Sequence, residues 1–380
     1  MKKRRLFAML LAVVMMASAL AGCGGSNSSE SSTTDTEKTE PKDITGEAPA
    51  ELKLTVVEES DTAMTLQYGE YTFEIDKTIP IEKRHIVGIF ENVASDFGQI
   101  LDTGIRQAGT EYGSKTEQMG GTDWTADECI NIIDNLIASN VDGLIIAAID
   151  EEAFTAAAHR AMEAGIPVLG YNSPMEETAR WATVGVDVYS VAKGVVTPFL
   201  ESIYETYGGG KVLVFGALAN NEPTTRKQAL VDVAATYGDA FEIIEVNVNG
   251  DSTEIYSAIE NVMLANDDIV GAYSVDGAQF VFAQYLKDND IGNMNSDAPI
   301  FTAGHDLFAE SLENVKDGWE SYLVSQDPVN QGYVPAMMLS AFYTNYDISV
   351  FENVILDPVV VDASNVQEYL DKLDAGELVM

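Results

Sequence analysis

From His85 onward, short apolar runs alternate with longer stretches in which apolar residues recur every three or four positions. That alternation predicts strand, loop and helix, repeated. Ile86 to Phe90 reads as a strand, Phe97 to Tyr112 as a helix, and Glu117 to Met119 as a second strand. Ala126, Cys129, Ile130, Ile133, Leu136 and Ile137 form one helical stripe, which makes Cys129 a small buried hydrophobe rather than a nucleophile. Gly143 to Ile149 is apolar throughout, as in a parallel strand covered on both faces. A helix over Glu151 to Ala164 stops at Gly165, and Pro167 opens a strand over Val168 to Tyr171. His159 falls off the stripe of that helix and reads as exposed and idle.

The pattern restarts near Tyr189 with a helix running to Gly208-Gly209-Gly210, then a strand over Lys211 to Phe215. This glycine triplet follows a helix and precedes a strand, the reverse of a phosphate-binding loop, so it reads as a helix stop. Further strands are expected at Phe241 to Val246, Ile269 to Ser274, Pro299 to Ala303 and Ser321 to Val324. The fold class is therefore α/β: two similar units in series, each with a mostly parallel sheet. Ahead of them, Met64, Leu66, Tyr68 and Tyr71, Phe73, Ile75 alternate about Gly69-Glu70, a two-residue hairpin signal. Residues 51–83 read as a small β extension.

The N-terminus carries a different pattern. Lys2, Lys3, Arg4 and Arg5 precede an apolar run from Leu6 to Leu20 that is too short for a spanning helix. Leu20-Ala21-Gly22-Cys23 resembles the lipobox of bacterial lipoproteins, which implies cleavage of residues 1–22 and lipidation of Cys23. Lipid chains contribute about 0.8 kcal/mol per buried methylene, enough to hold a chain at a membrane through the anchor alone. Residues 23–50 are polar and read as a disordered tether. The expected location is extracytoplasmic.

Composition narrows the partners. With 21 basic and 61 acidic residues the formal net charge is −40, a field that repels nucleic acid. The hydrophobic fraction of 46% suffices for real cores. With Cys23 lipidated, Cys129 has no disulfide partner. No metal or cofactor motif is present, and there is neither a Gly-x-Ser-x-Gly nor a His-Glu-x-x-His sequence.

Ligands of open parallel sheets sit at the carboxyl ends of the strands. After Phe90 come Glu91 and Asn92, then Asp96 and Phe97; beyond Met119 lies Trp124; Asn172 follows Tyr171. In the second unit Asn220, Glu222 and Arg226 follow Phe215, Asp276 follows Ser274, Asp306 follows Ala303, and Gln326 follows Val324. Amides, carboxylates, one guanidinium and aromatic rings suit a hydroxylated molecule: paired donors and acceptors take vicinal hydroxyls, and C–H faces pack on rings. Each residue also has a plainer use. Asp276 and Asp306 can cap the helices after them, Thr125 and Asp127 can do so beside Trp124, and Arg226 can be an exposed partner of Glu222. Convergence on one sheet edge in both units favours a site.

From residue 85 to 380 the chain resembles the type I periplasmic sugar-binding proteins of the ribose and galactose class. The resemblance rests on Asp96-Phe97, Val141-Asp142-Gly143-Leu144-Ile145-Ile146, Ala164-Gly165-Ile166-Pro167-Val168, the Glu222 to Arg226 segment, Gly304-His305-Asp306 and Ser325-Gln326-Asp327. It implies two Rossmann-like lobes, 84–187 plus 327–356 and 188–326 plus 357–380, joined by a three-strand hinge near Asp187, Gln326-Asp327 and Asp357-Pro358. It also implies that Phe97 stacks on the ligand and that Asn172, Arg226, Asp306 and Gln326 hydrogen-bond it. Glu222 and Asn220 match positions used by hexose binders. Asn172 and Ser173 stand where ribose binders have an Asp-Arg pair, and Val275 replaces an Asn; Asp276 is placed to compensate, and Tyr171 suits a larger or partly apolar ligand.

The function implied is an extracytoplasmic substrate-binding lipoprotein, a monomer without enzymatic activity, that delivers a sugar or sugar-like molecule to an ABC transporter permease. A ligand sensor for a chemoreceptor or sensor kinase is the alternative, and an exported glycosidase a distant third. On this reading Arg226→Ala or Asp306→Ala abolishes ligand-induced stabilisation and leaves unliganded melting little changed.

Overall fold

The computed structural model describes residues 52–375 apart from 123–124, 174, 220 and 249–250. Cys23, Trp124 and Asn220, the leader and the tether lie outside the described residues. The chain opens with an antiparallel sheet of β1 (Thr55–Glu59), β2 (Ala63–Tyr68) and β3 (Tyr71–Asp76) in that order. Tyr68 pairs with Tyr71, so Gly69-Glu70 is the two-residue turn. The alternating residues Met64, Leu66, Phe73 and Ile75 are buried. β1 has no alternation to betray it, because all five of its residues are exposed.

The first lobe follows: β4 (His85–Phe90), α1 (Asp96–Tyr112), β5 (Lys115–Gly120), α2 (Ala126–Ala138), β6 (Gly143–Ile146), α3 (Glu151–Glu163), β7 (Val168–Tyr171) and β8 (Thr183–Gly185). α4 (Val188–Tyr207) then begins the second lobe, with β9 (Gly210–Gly216), α5 (Asn221–Ala235), β10 (Phe241–Asn247), α6 (Ser252–Ala265), β11 (Ile269–Ser274), α7 (Gln279–Asn289), β12 (Phe301–His305), α8 (Ala309–Asp317) and β13 (Tyr322–Ser325). α9 (Pro328–Asn345) and β14 (Val354–Ile355) return to the first lobe, and β15 (Val359–Val361) with α10 (Val366–Asp374) ends in the second.

The first sheet has the order β14-β8-β7-β6-β4-β5, all parallel. The second has the order β10-β9-β11-β12-β13-β15, with only β15 antiparallel. These are two Rossmann-like lobes, and the chain passes between them after β8, after β13 and between β14 and β15. Two passages end in helix caps. Asp187 Oδ1 accepts from Ser190 N at 2.6 Å to start α4, and Asp327 Oδ1 accepts from Asn330 N at 3.2 Å to start α9, with Pro328 in the first turn.

α1 and α9 lie against each other at backbone distance. A Cβ on Gly332 would fall 2.1 Å from Leu101 O, and one on Gly104 would fall 2.0 Å from Val329 O. The triplet at Gly208 behaves as a helix stop, with Gly208 at φ +75° closing α4.

Three readings change. His159 is half-buried: Nδ1 lies 2.7 Å from Tyr71 Oη and the rings stack at 5.7 Å, so it fastens the extension to α3. The apolar run from Gly143 leaves the sheet after Ile146, and the Ile149 N–H turns to the Glu91 carboxylate at 2.8 Å. The strand expected from Pro299 starts at Phe301, since proline has no N–H for a ladder. The extension is also held by Tyr68 Oη donating to Glu177 O at 2.7 Å and by Phe73 edge-on to Trp181 at 4.7 Å. Arg84 bonds Asp142 at 2.7 Å and also donates to Asp76 O.

Within the second lobe Glu320 is 1% exposed and accepts from Asn314 Nδ2 at 2.7 Å. Burial pushes its carboxyl up to about 8. Because the folded value exceeds the unfolded one, the folded state binds the extra proton, and this stabilisation is lost as pH rises from about 4.5 through about 8. Glu320→Gln is expected to stabilise the protein on the order of 2 kcal/mol at about pH 8.5 and little at about pH 5. Urea unfolding at the two pH values checks this; an equal effect at both contradicts it.

Candidate functional site

All described candidate residues stand at the carboxyl edge of the two sheets, on the segments that leave β4, β7, β9, β11, β12 and β13. Three non-glycine residues there take positive φ: Asn172 (57°), Asp306 (70°) and Asp327 (53°). Asn and Asp tolerate that conformation best, and its clustering at one edge marks a constrained surface.

In the second lobe the residues are wired together. Arg226 is 6% exposed; Nη1 donates to Val275 O at 2.9 Å, and Nη2 lies 3.4 Å from Glu222 Oε2 and 3.3 Å from Gln326 Oε1. Gln326 Nε2 donates to Asp306 Oδ1 at 2.9 Å. Arg226 is thus a buried hub and not an exposed helix partner. Burial raises the Asp306 pKa, and Arg226 and the Gln326 amide oppose that rise. Neither Asp276 nor Asp306 caps a helix, since α7 and α8 start from Ala278 and Phe308. Asp276 instead accepts from Ala217 N at 3.2 Å and from Ser274 Oγ at 3.0 Å, fixing two strand ends.

The wiring reaches the first lobe through Gln331, a residue the pattern did not single out. It is fully buried; Nε2 donates to Gln326 O at 2.7 Å, and Oε1 accepts from Asn172 Nδ2 at 3.1 Å. One hydrogen-bonded chain therefore runs from Glu222 through Arg226, Gln326 and Gln331 to Asn172. Gln118 was also missed: it donates to Gly98 O at 2.8 Å and accepts from Tyr171 Oη at 3.3 Å. Gln118 lies inside β5 and Gln331 in the first turns of α9, so neither follows a strand end directly and only the assembled topology finds them.

Glu91, 1% exposed, sits at the end of β4 and holds Ile149 N. Burial chiefly, with repulsion from Glu222 of the other lobe, raises its carboxyl to about 7. Asp96 is exposed in the first turn of α1, whose cap is Ser95 Oγ accepting from Gly98 N at 3.0 Å. Phe97 is half-buried, 6.0 Å from the Phe90 ring. Beside these residues a cleft of about 580 Å³ opens between the lobes, with Asp96, Gln99 and Gln118 on one wall and Leu307, Phe308 and Leu373 on the other. Its size suits a small molecule, and it is partly apolar. Among the described residues no three His, Cys, Asp or Glu side chains are grouped to hold a metal ion, and no helix is long and apolar enough to cross a membrane.

Two lobes of this topology, facing across polar strand ends, define a two-lobed binding protein. Residues 86–345 match the periplasmic binding protein domain model, and the chain belongs to that family. It is 24% identical over 271 residues to the xylose/arabinose-binding protein XylF of Sulfolobus acidocaldarius, a match covering 65% of this chain and 64% of that protein. The chain thus spans less than two thirds of that relative's length. It is 26% identical over 234 residues to the ABC transporter periplasmic-binding protein YphF of Escherichia coli, covering 52% of this chain and 70% of that one. Among solved structures it is similar to an ABC transporter solute-binding protein of Burkholderia graminis in complex with D-arabinose. There the TM-score is 0.67 at 20% identity, over 77% of this chain and 99% of that one. A periplasmic solute-binding protein of Actinobacillus succinogenes with bound D-allose gives 0.66 at 18% identity, over 76% and 100%. These structural likenesses establish the fold.

Proposed function

We propose that this protein captures a sugar or sugar-like molecule between its lobes and hands it, chemically unchanged, to the permease of an ABC importer. It works outside the cytoplasm, held to the membrane through a lipid on Cys23. The lobes, 84–187 plus 327–356 and 188–326 plus 357–380, close as rigid bodies about the three passages. Phe97 and Trp124 supply stacking faces. Glu91, Asp96, Asn172, Asn220, Glu222, Arg226, Asp276, Asp306 and Gln326 supply the polar contacts.

The observation that carries the reading is the chain of hydrogen bonds from Glu222 through Arg226 and Gln326, via Gln331, to Asn172. Gln326 lies in a passage between the lobes, so a ligand that bonds this chain touches the segment that must bend. Affinity is then coupled to closure, and the permease can tell the loaded form from the empty one. Two relatives point the same way by name, as a xylose/arabinose-binding protein and an ABC transporter periplasmic-binding protein.

A thermal-shift screen against pentoses, hexoses, polyols and nucleosides tests it. A ligand at a hundredfold its Kd adds about 2.7 kcal/mol, so a true ligand is expected to raise Tm by roughly 5 °C. A panel that leaves Tm unmoved, or turnover of a glycoside by the protein, rejects the proposal.

A further inference from the structure

We infer that the cleft takes glycosides: the sugar sits at the polar strand ends, and an apolar aglycone lies in the outer cleft between α1 and the Leu307-Phe308 segment. This rests on the ligand-capturing function proposed above and adds the chemistry of the ligand's second half. The inference starts from the shape of the cleft. Asp96, Gln99, Ile100 and Thr103 all line it, and their spacing puts them on one face of α1. α1 begins beyond the carboxyl end of β4, so that face leads away from the strand ends for roughly 10 Å, longer than one sugar ring. The opposite wall starts at the candidate sugar site. Leu307 and Phe308 directly follow Asp306, and Gly277 directly follows Asp276. A Cβ on Gly277 would fall 2.6 Å from Phe308 Cε2 and 3.4 Å from Asp306 Oδ2, so the ring and the carboxylate are neighbours over that glycine.

The two walls differ in what they offer. On the second lobe Leu307, Phe308 and Leu373 line the cleft, and among the described residues no polar side chain of that lobe joins them. On the first lobe the polar side chains are already engaged. Gln99 Nε2 donates to Ala94 O at 3.1 Å, and Thr103 Oγ1 donates to Gln99 O at 3.1 Å. Gln118 is held at both ends, by Gly98 O and by the Tyr171 hydroxyl. Asp102 accepts from Gln118 N at 3.1 Å with one oxygen and from Arg106 Nε at 2.6 Å with the other. Asp96, at the inner end, is left to meet the sugar. A second sugar ring farther out would press its hydroxyls against engaged groups and apolar side chains, and a buried hydroxyl without a partner is costly. An apolar group needs no partner there and gains by leaving water. An anionic group would meet Asp96 and Asp102, with no cation in the lining to offset them.

Calorimetric titration of the full chain tests this with the free sugar, the methyl glycoside, the phenyl glycoside and a disaccharide in each of the glucose, galactose, xylose and arabinose series, glycosides as both anomers. In at least one series the phenyl glycoside is expected to bind about tenfold tighter than the methyl glycoside and with a more negative heat-capacity change. The disaccharide of that series should bind no tighter than the methyl glycoside. Phe308→Ala should cut the phenyl-over-methyl ratio to about threefold or less. Leu373→Ala, at a half-buried position near the end of α10, should lower the same ratio even where the first variant folds poorly. Phenyl glycosides that bind no tighter than methyl glycosides in every series, disaccharides that bind tightest, or a ratio that both variants leave unchanged overturn the inference and leave the capture function standing. If no member of these series and no molecule of the thermal screen binds, both fall.

Discussion

Arg226→Met is expected to abolish ligand-induced stabilisation and, in the same experiment, to lower the melting temperature of the empty protein. The first effect follows from the hub position: the variant keeps the volume and loses every donor that joins Glu222, Gln326 and the β11 end. Charge-assisted bonds to a buried ligand group are among the strongest available, so affinity should drop by about 100-fold or more. The second effect departs from what the sequence suggested, which was little change in unliganded melting. Arg226 is buried, and its loss strips a donor from Val275 O and from Gln326 Oε1 and leaves Asp306 without its nearest opposing charge. Removing one partner from such a cluster costs about 2–4 kcal/mol, a drop in Tm of roughly 4–7 °C. Scanning calorimetry with and without the best ligand of the screen reads both. A variant that melts and binds as the parent does would remove Arg226 from the site.

Gly332→Ala should damage the protein at least as much, though Gly332 belongs to no proposed contact. The added methyl carbon meets Leu101 O at 2.1 Å, a backbone atom inside α1 that no rotamer can move aside. Gly104 mirrors it, with a Cβ position 2.0 Å from Val329 O and 2.7 Å from Tyr333 N. The helices must separate, and overpacking of this kind costs about 3 kcal/mol, a fall in Tm of roughly 5 °C. Gly332→Val is expected not to accumulate as folded protein. Urea unfolding checks the alanine variants at 332 and 104; a loss under about 0.5 kcal/mol at both would show that the helices yield easily.

Much of the fold was legible because its strands are buried on both faces. Val168 to Tyr171 and Ile269 to Ser274 read as unbroken apolar runs and are strands over those same residues. Short edge elements were silent. β14 has two residues and β15 three, too few for any period, and β1 carries no buried face. For the site, the strand-end rule located the polar residues but not their partners. Nothing local distinguishes Arg226 as a buried hub from Arg226 as a surface neighbour of Glu222, since Val275 and Gln326 lie 49 and 100 residues away. Gln331 was overlooked for the same reason: five residues past Gln326, it acquires its meaning only when Asn172, 159 residues earlier, is folded against it.

The start of α9 serves two masters. Within seven residues the chain provides Gln326, the Asp327 cap, Gln331 and Gly332, so the amide linked to Arg226 and the tightest helix contact of the first lobe share one stretch. A descendant acquiring a taste for a new molecule therefore has little liberty at 326–332. Asp96, exposed, and Glu222, with its side chain 41% exposed, each stand at the start of a separate helix and are freer to drift. Diversification of this lineage should write itself into such outlying positions first and into the α9 start last.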